Sequence, residues 1–257
     1  MSAATTPKIE CSDLRKAFGP KVVLNGLDLA IEAGESLVIL GGSGTGKSVL
    51  LKHLIGLLRP DSGTVRVDGQ DIGPLDDLEI NEVRRKFGMA FQEGALFDSM
   101  TVGENIAFPL LRRKKKISKG DIADRVADCL ETVGLEGIES KRPSELSGGM
   151  RRRVGFARAI ALEPDILLFD EPDTGLDPIL TDVIDNVILQ LRERRSLTTV
   201  TITHNLRSAF KIATRIAMLY QGRIVESAPP DSFRASKLDI VQRFLAGRAE
   251  GTREEKL

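Results

Sequence analysis

The segment GGSGTGKS at residues 41–48 constrains this chain more than any other, because it stands between a short apolar run, SLVIL at 36–40, and a helical pattern at 49–58. Glycine at 41, 42, 44 and 46 permits positive φ, so successive backbone N–H groups can turn toward one concave point and form a nest for an anion. The helix starting near Gly46 adds unpaired N-terminal N–H groups and the positive end of its dipole. In that setting Lys47 supplies a point charge for the β- and γ-phosphates of a nucleotide, and the Ser48 hydroxyl a ligand for Mg²⁺. The alternative is a glycine-rich turn that binds nothing. The fixed positions of this pattern arise by chance in about one chain in a hundred of this length, and more rarely between a strand and a helix.

At 257 residues the chain can bury a full core, as one large domain or two small ones. Its 37 basic and 37 acidic residues balance to zero formal charge, which argues against a nucleic-acid binder relying on net electrostatics. Cys11 and Cys129 are isolated from metal-type partners, so a reduced, structural role in the cytosol is expected. No apolar stretch approaches the roughly 20 residues that span a bilayer, and MSAATTPKIE lacks the regions of a signal peptide. A soluble protein is expected, whatever it sits on.

Short runs at 9–11, 22–24 and 27–31, separated by Gly19-Pro20, Asn25-Gly26 and Ala33-Gly34, predict strands joined by tight turns. The apolar stripe at 49–58 predicts a helix ended by RPDSG, with His53 at a solvated position. Strands follow at 64–69 and at 87–91, the latter leading to Gln92. From about 93 to 160 the pattern is helical and more polar, at 103–111, 118–133 and 148–162, which predicts an inserted helical subdomain. ILLF at 166–169 and TVTIT at 199–203 suit strands buried on both faces of a parallel sheet. A hairpin around Gln221-Gly222 follows, and residues 247–257 lack periodicity, as frayed ends do.

Asp170 and Glu171 close the ILLF run, where adjacent side chains point in different directions. Asp170 suits a Mg²⁺ held through its waters, and Glu171 a general base for an attacking water. Two carboxylates merely solvated at a loop is the competing reading. His204 ends the next buried run, a place where α/β sheets put ligands, and is read either as a γ-phosphate contact or as structural. In LSGGM at 146–150, Ser147 is a natural N-cap and Gly148 and Gly149 expose backbone N–H groups, a second anion-binding helix start that is weak taken alone. Phe18, beside Gly19, is either an exposed ring that stacks on a base or part of the core.

Over residues 8–230 the sequence resembles the ATPase subunit of ABC transporters, with six motifs in the family's order: Phe18, GGSGTGKS, Gln92, LSGGM, ILLFDEPDTGLD and His204. The resemblance implies an α/β P-loop NTPase: a RecA-like parallel-sheet core with an antiparallel β subdomain (8–92 and 161–230), an inserted α-helical signature subdomain (93–160), then a C-terminal helix and polar tail (231–257). It implies ATP and Mg²⁺ as cofactors, bound by two copies of the chain paired head to tail. Phe18 would stack on the base. Lys47 and the amides of Gly41, Gly42, Ser43, Gly44, Thr45 and Gly46 would hold the phosphates. Ser48 and Gln92 would hold Mg²⁺ with support from Asp170, Glu171 would be the base, and His204 the γ-phosphate switch. Ser147, Gly148 and Gly149 would act on the partner's nucleotide, with Asp177 at the seam; a two-fold dimer then makes two complete sites from one sequence. Phe18 stands where Tyr is commoner and Met150 where Gln is common, and neither change removes a group that hydrolysis needs.

A narrower likeness lies in FQEGALF at 91–97, with DSMTV and ENIAFP after it, and in ARAIALEPDILLFDEPDTGLDPI. These resemble the ATPases of Mla and Mce systems, which move phospholipids or other lipids between bacterial envelope membranes. The likeness implies a peripheral position on the cytoplasmic face of the inner membrane, with integral-membrane permease subunits, an MCE-domain lipid-binding protein and a small regulatory subunit as partners, and no nucleic acid. The runner-up is the ATPase of an amino-acid or other small-solute importer, because likeness of fold does not identify cargo. A soluble ABC ATPase of ribosomes or DNA stands third: such chains usually carry two cassettes or a long inserted coiled coil. Leu96, Phe97 and Met100 form either an exposed patch for a permease helix or a satellite core. The five basic residues at 112–116 are either a solvated loop or a contact for anionic headgroups.

Overall fold

The computed structural model describes residues 6–91, 94–112, 117–195 and 197–248. The chain opens with β1 (Ile9–Phe18), β2 (Lys21–Ile31), β3 (Ser36–Leu40), α1 (Lys47–Leu54), β4 (Ser62–Val67) and β5 (Gln70–Asp71). Then come α2 (Asp77–Arg84), β6 (Phe87–Ala90), α3 (Val102–Leu111), α4 (Lys119–Thr132) and α5 (Gly148–Ile160). It continues with β7 (Ile166–Asp170), α6 (Pro178–Arg195), β8 (Thr198–Ile202), α7 (Leu206–Ile212), β9 (Arg215–Tyr220), β10 (Arg223–Ala228), α8 (Pro230–Arg234) and α9 (Asp239–Leu245).

The buried runs feed two cores at once. In the six-stranded sheet, ordered β10-β9-β3-β8-β7-β6, every pairing is parallel except that of β10 with β9. Side chains alternate across its faces: Leu37, Ile39, Ile166 and Leu168 join the core that holds α1, whereas Val38, Leu40, Leu167 and Phe169 join the core under α3 to α7. The second sheet, β2-β1-β4-β5, is antiparallel and closes the α1 side.

Three sequence expectations are corrected here. Asn25-Gly26 does not turn the chain; it lies inside a continuous β2, at a register shift where Leu14 pairs with Leu27 and Arg15 with Asn25. Gly26, at φ 76°, is the extra residue of a bulge, and a Cβ there would come 2.8 Å from the Arg15 guanidinium. Second, α1 ends at Leu54 rather than running to 58, and His53 is 1% exposed rather than solvated. A helix packed between two sheets has no water-facing side at that position; the ring satisfies Nδ1 on the Val49 carbonyl at 2.8 Å, and burial lowers its pKa. Third, the single C-terminal helix is two short ones, α8 and α9, whose Phe233 and Val241 are fully buried in the helical-side core.

A helix left out of the sequence reading, α2, announces itself by a capping box: Asp76 accepts the Leu78 and Glu79 N–H groups, and Glu79 returns to the Asp76 N–H. Thr101 with Glu104, and Ser118, start α3 and α4 in the same way or with a simple cap. Buried Asn105 shapes the segment before α3, accepting the Phe97 N–H at 2.8 Å and donating to the Phe97 and Thr101 carbonyls at 3.1 and 2.9 Å.

Candidate active site

Strands β3, β8 and β7 are neighbours, so the loops leaving their carboxyl ends lie side by side, the usual ligand edge of a parallel sheet. The loop after β3 turns into α1 at Gly46, whose φ of 102° belongs to the left-handed region and whose absent Cβ would meet Val23 Cγ1 at 2.8 Å. Thr45 Oγ1 donates to the Gly42 carbonyl at 2.9 Å. Lys47, 6% exposed, folds its Nζ back over the loop and donates to the carbonyls of Gly41 and Gly42 at 2.9 Å each. Burial lowers the Lys47 pKa, a push that the charges of Glu171 and Asp170 oppose.

One residue into α1, Ser48 Oγ donates to Asp170 Oδ1 at 3.1 Å and so joins the end of β3 to the end of β7. Burial raises the Asp170 pKa; the Ser48 bond and Lys47 pull it down, and neighbouring Glu171 pushes it up. Glu171 occupies φ 48°, a strained conformation for a residue with a Cβ, and its N–H donates to the Ile202 carbonyl of β8 at 2.9 Å. Its Oε2 accepts the Thr174 hydroxyl at 2.9 Å and lies 3.6 Å from Nδ1 of His204, an exposed ring at the end of β8. The adjacent carboxylates do point apart: Asp170 toward Ser48, Glu171 toward His204.

Ser147 caps α5 by accepting the Met150 N–H at 3.2 Å; Ser147 and Gly148 are exposed. Gly149 is buried against Leu180, 3.4 Å from where its Cβ would lie, and Asp177 caps the start of α6 by accepting the Ile179 and Leu180 N–H groups at 2.9 and 3.0 Å. Gly149 at the start of α5 thus packs on the first turn of α6, which Asp177 caps, and the Arg152 guanidinium ties α5 to the Thr174 carbonyl in the Glu171 turn. Phe18 is 47% exposed at the end of β1, with Lys16 Nζ 5.6 Å from its ring centroid. Gln92 lies outside the described residues.

The family profile described as ABC transporter matches residues 24–174, from β2 through the Glu171 turn. The chain belongs to the ABC transporter ATP-binding family. As an ABC ATPase it is 44% identical, over 95% of its length and 70% of the relative's, to the probable ribonucleotide transport ATP-binding protein mkl of Mycobacterium leprae. It is 40% identical, over 95% of its length and 92% of the relative's, to the intermembrane phospholipid transport system ATP-binding protein MlaF of Haemophilus influenzae. Among solved structures, the dimeric ABC transporter cassette MJ0796 superposes with a TM-score of 0.80 at 31% identity, covering 86% of this ABC ATPase and 98% of that chain.

Leu96 and Phe97 take different places at the surface, and Met100 is half-buried. Leu96 packs on the helical-side core, whereas Phe97 is 42% exposed, with its ring centroid 4.8 Å from that of Phe108. Phe97 and Phe108 line a groove with Phe87, Met89, Phe91 and Pro109. Of the basic run at 112–116, residues 113–116 lie outside the described residues; Arg112 stacks its guanidinium on Phe108 at 5.1 Å. No helix among the described residues is long and apolar enough to cross a membrane. The sequence reading missed Thr174, whose hydroxyl orients Glu171; a threonine three residues beyond a turn carboxylate was the available signal.

Proposed function

We propose that this chain is the ATP-hydrolysing subunit of an ABC transporter that moves phospholipid or another lipid between bacterial envelope membranes. The observation that carries the reading is the 40% identity to MlaF over nearly the whole of both chains. A second reading, the ATPase of a small-solute importer, is favoured by a 40% identity to the methionine import ATP-binding protein MetN 2 of Enterococcus faecalis over 96% of this chain. The Phe97 groove suits a permease helix with an apolar face, and a peripheral subunit on the cytoplasmic face of the inner membrane needs such a contact. An MCE-domain protein and a small regulatory subunit complete the proposed assembly.

Within it, the 41–46 amides and Lys47 hold the ATP phosphates, and Phe18 stacks on the base. Ser48 Oγ and Asp170 Oδ1 converge beside Lys47, hard oxygen donors that suit Mg²⁺, an ion that takes few protein ligands and keeps phosphate and water oxygens. Gln92 is the third proposed ligand. Bound there, Mg²⁺ would neutralise charge on the phosphate oxygens. Water attacks the γ-phosphorus, its proton passes to Glu171, and the bond to the β-phosphate oxygen breaks to leave ADP and phosphate. His204 contacts the γ-phosphate, while Ser147, Gly148, Gly149 and Asp177 of a second copy close the site from the other side. ATP binding to both halves favours the closed pair, and this differential affinity drives the permease.

The test is purification from membranes at native abundance, with identification of the co-purifying multi-span protein and of bound lipid, then ATP-dependent lipid transfer between vesicles. Turnover stimulated by an amino acid and not by lipid would move the reading to the importer.

A further inference from the structure

Beneath the loops that carry Glu171 and His204 lies a buried pair used by none of these roles. Thr203 and Asp173 are 0% and 5% exposed, and the Thr203 hydroxyl lies 2.9 and 3.1 Å from the two Asp173 carboxylate oxygens. The same hydroxyl oxygen accepts the Asn205 N–H at 2.9 Å, so one side chain grips the backbone on the far side of His204 as well. Asp173 sits two residues after Glu171, inside the turn that the Thr174 N–H closes on the Glu171 carbonyl at 3.3 Å.

Glu171 is held at φ 48°, and His204 is exposed, with little packing to fix its ring. Their mutual placement therefore has to come from the residues below them, because a group left loose by even an ångström loses much of its catalytic effect. The Thr203–Asp173 bond is placed to supply it: it joins the turn of one to the strand end of the other, and its burial shields it from competition with water. We infer that Asp173 and Thr203 are positioning residues for hydrolysis, whose hydrogen bond sets the approach of His204 to Glu171. The inference rests on the proposed roles of those two residues.

The full-length chain, in complex with its co-purified membrane partners, is assayed as wild type, T203V, T203S, the D173A/T203V double variant and its single parents, and E171Q. Valine keeps the volume of threonine and removes the hydroxyl. Expected is a fall in kcat on the order of ten-fold to a hundred-fold in T203V, with KM for ATP within about two-fold, recovery in T203S, and a double variant no slower than its slower parent. A readout independent of turnover comes from the two histidines of the chain: the His204 ring resonances, read against buried His53, move in T203V and return in T203S. Wild-type kcat in T203V, unmoved His204 resonances, no recovery in T203S, or additive losses would overturn the inference and leave the base untouched. Wild-type turnover in E171Q would instead overturn the reading on which it rests.

Discussion

Helices α1 and α5 both begin at glycines that offer backbone N–H groups, yet the side chains around the two starts are engaged differently. At α1, Lys47 bonds two loop carbonyls, Ser48 reaches Asp170, and Glu171 is tied to β8 and Thr174, so three strand ends form one connected cluster. At α5, Ser147 caps its own helix, Arg151 donates to the Leu146 carbonyl at 2.7 Å, and Ser147 and Gly148 face outward. One start is embedded in a site with its own cation and carboxylates. The other leaves Ser147 and Gly148 exposed, which is what the proposed head-to-tail pair requires.

The sharpest way to break this contrast is to act on the embedded side. Glu171→Gln keeps the Thr174 bond within reach but removes the base, so phosphate release should fall by about 10²–10⁴ while ATP binding persists and a closed dimer accumulates by size exclusion. Lys47→Ala removes the buried ammonium, and turnover should drop by about 10²–10³, with binding of a fluorescent ATP analogue weakened in parallel. Tight analogue binding in Lys47→Ala would show that the amides alone carry the phosphates.

Ser147→Ala tests the outward side. In dimers mixed from a Ser147→Ala copy and a Lys47→Ala copy, one site receives both lesions or the lesions fall on separate sites, according to whether Ser147 acts on the partner's nucleotide or its own. Action across the seam predicts one doubly impaired site and one intact site, and so about half of wild-type turnover. A neutral-to-anion hydrogen bond is worth about 1.5–3 kcal/mol, so the Ser147 lesion alone should cost on the order of ten-fold to a hundred-fold. Impairment of both sites, with turnover far below half of wild type, would place Ser147 in its own chain's site.

The same contrast explains what the sequence makes legible. Residues 36–48 and 166–171 are contiguous stretches in which strand, turn and functional side chain follow one another, so local pattern is enough to read both the parallel sheet and the candidate groups. Gly26 misleads because a positive-φ glycine marks a bulge as readily as a turn, and only the pairing of β1 with β2 distinguishes them. His53 misleads because helical periodicity gives one buried face, whereas α1 is covered from two sides. Thr203 and Asp173 are 30 residues apart in sequence, and their bond exists only because β7 and β8 are adjacent. Capping residues, by contrast, are written within four positions, which is why Ser147 and Ser118 are visible in the bare chain.

The smallest effect expected concerns stability beneath the embedded side. Asp185 on α6 is 2% exposed, and burial pushes its pKa up to about 6, although Ser208 Oγ donates to it at 3.1 Å. A carboxyl whose folded pKa is raised holds its proton in the native state after the unfolded chain has released it. Stability therefore falls as pH rises from the ordinary carboxylate range through about 6, and the penalty is constant above that. Asp185→Asn keeps an acceptor for Ser208 and cannot ionise, so above pH 6 it should be the more stable protein, by up to about 3 kcal/mol, with the advantage vanishing near pH 4. Urea midpoints of both proteins across that window give the difference directly. A difference that does not change with pH would mean that the Asp185 carboxyl ionises alike in the folded and unfolded chains, and that its burial costs the fold nothing as pH rises.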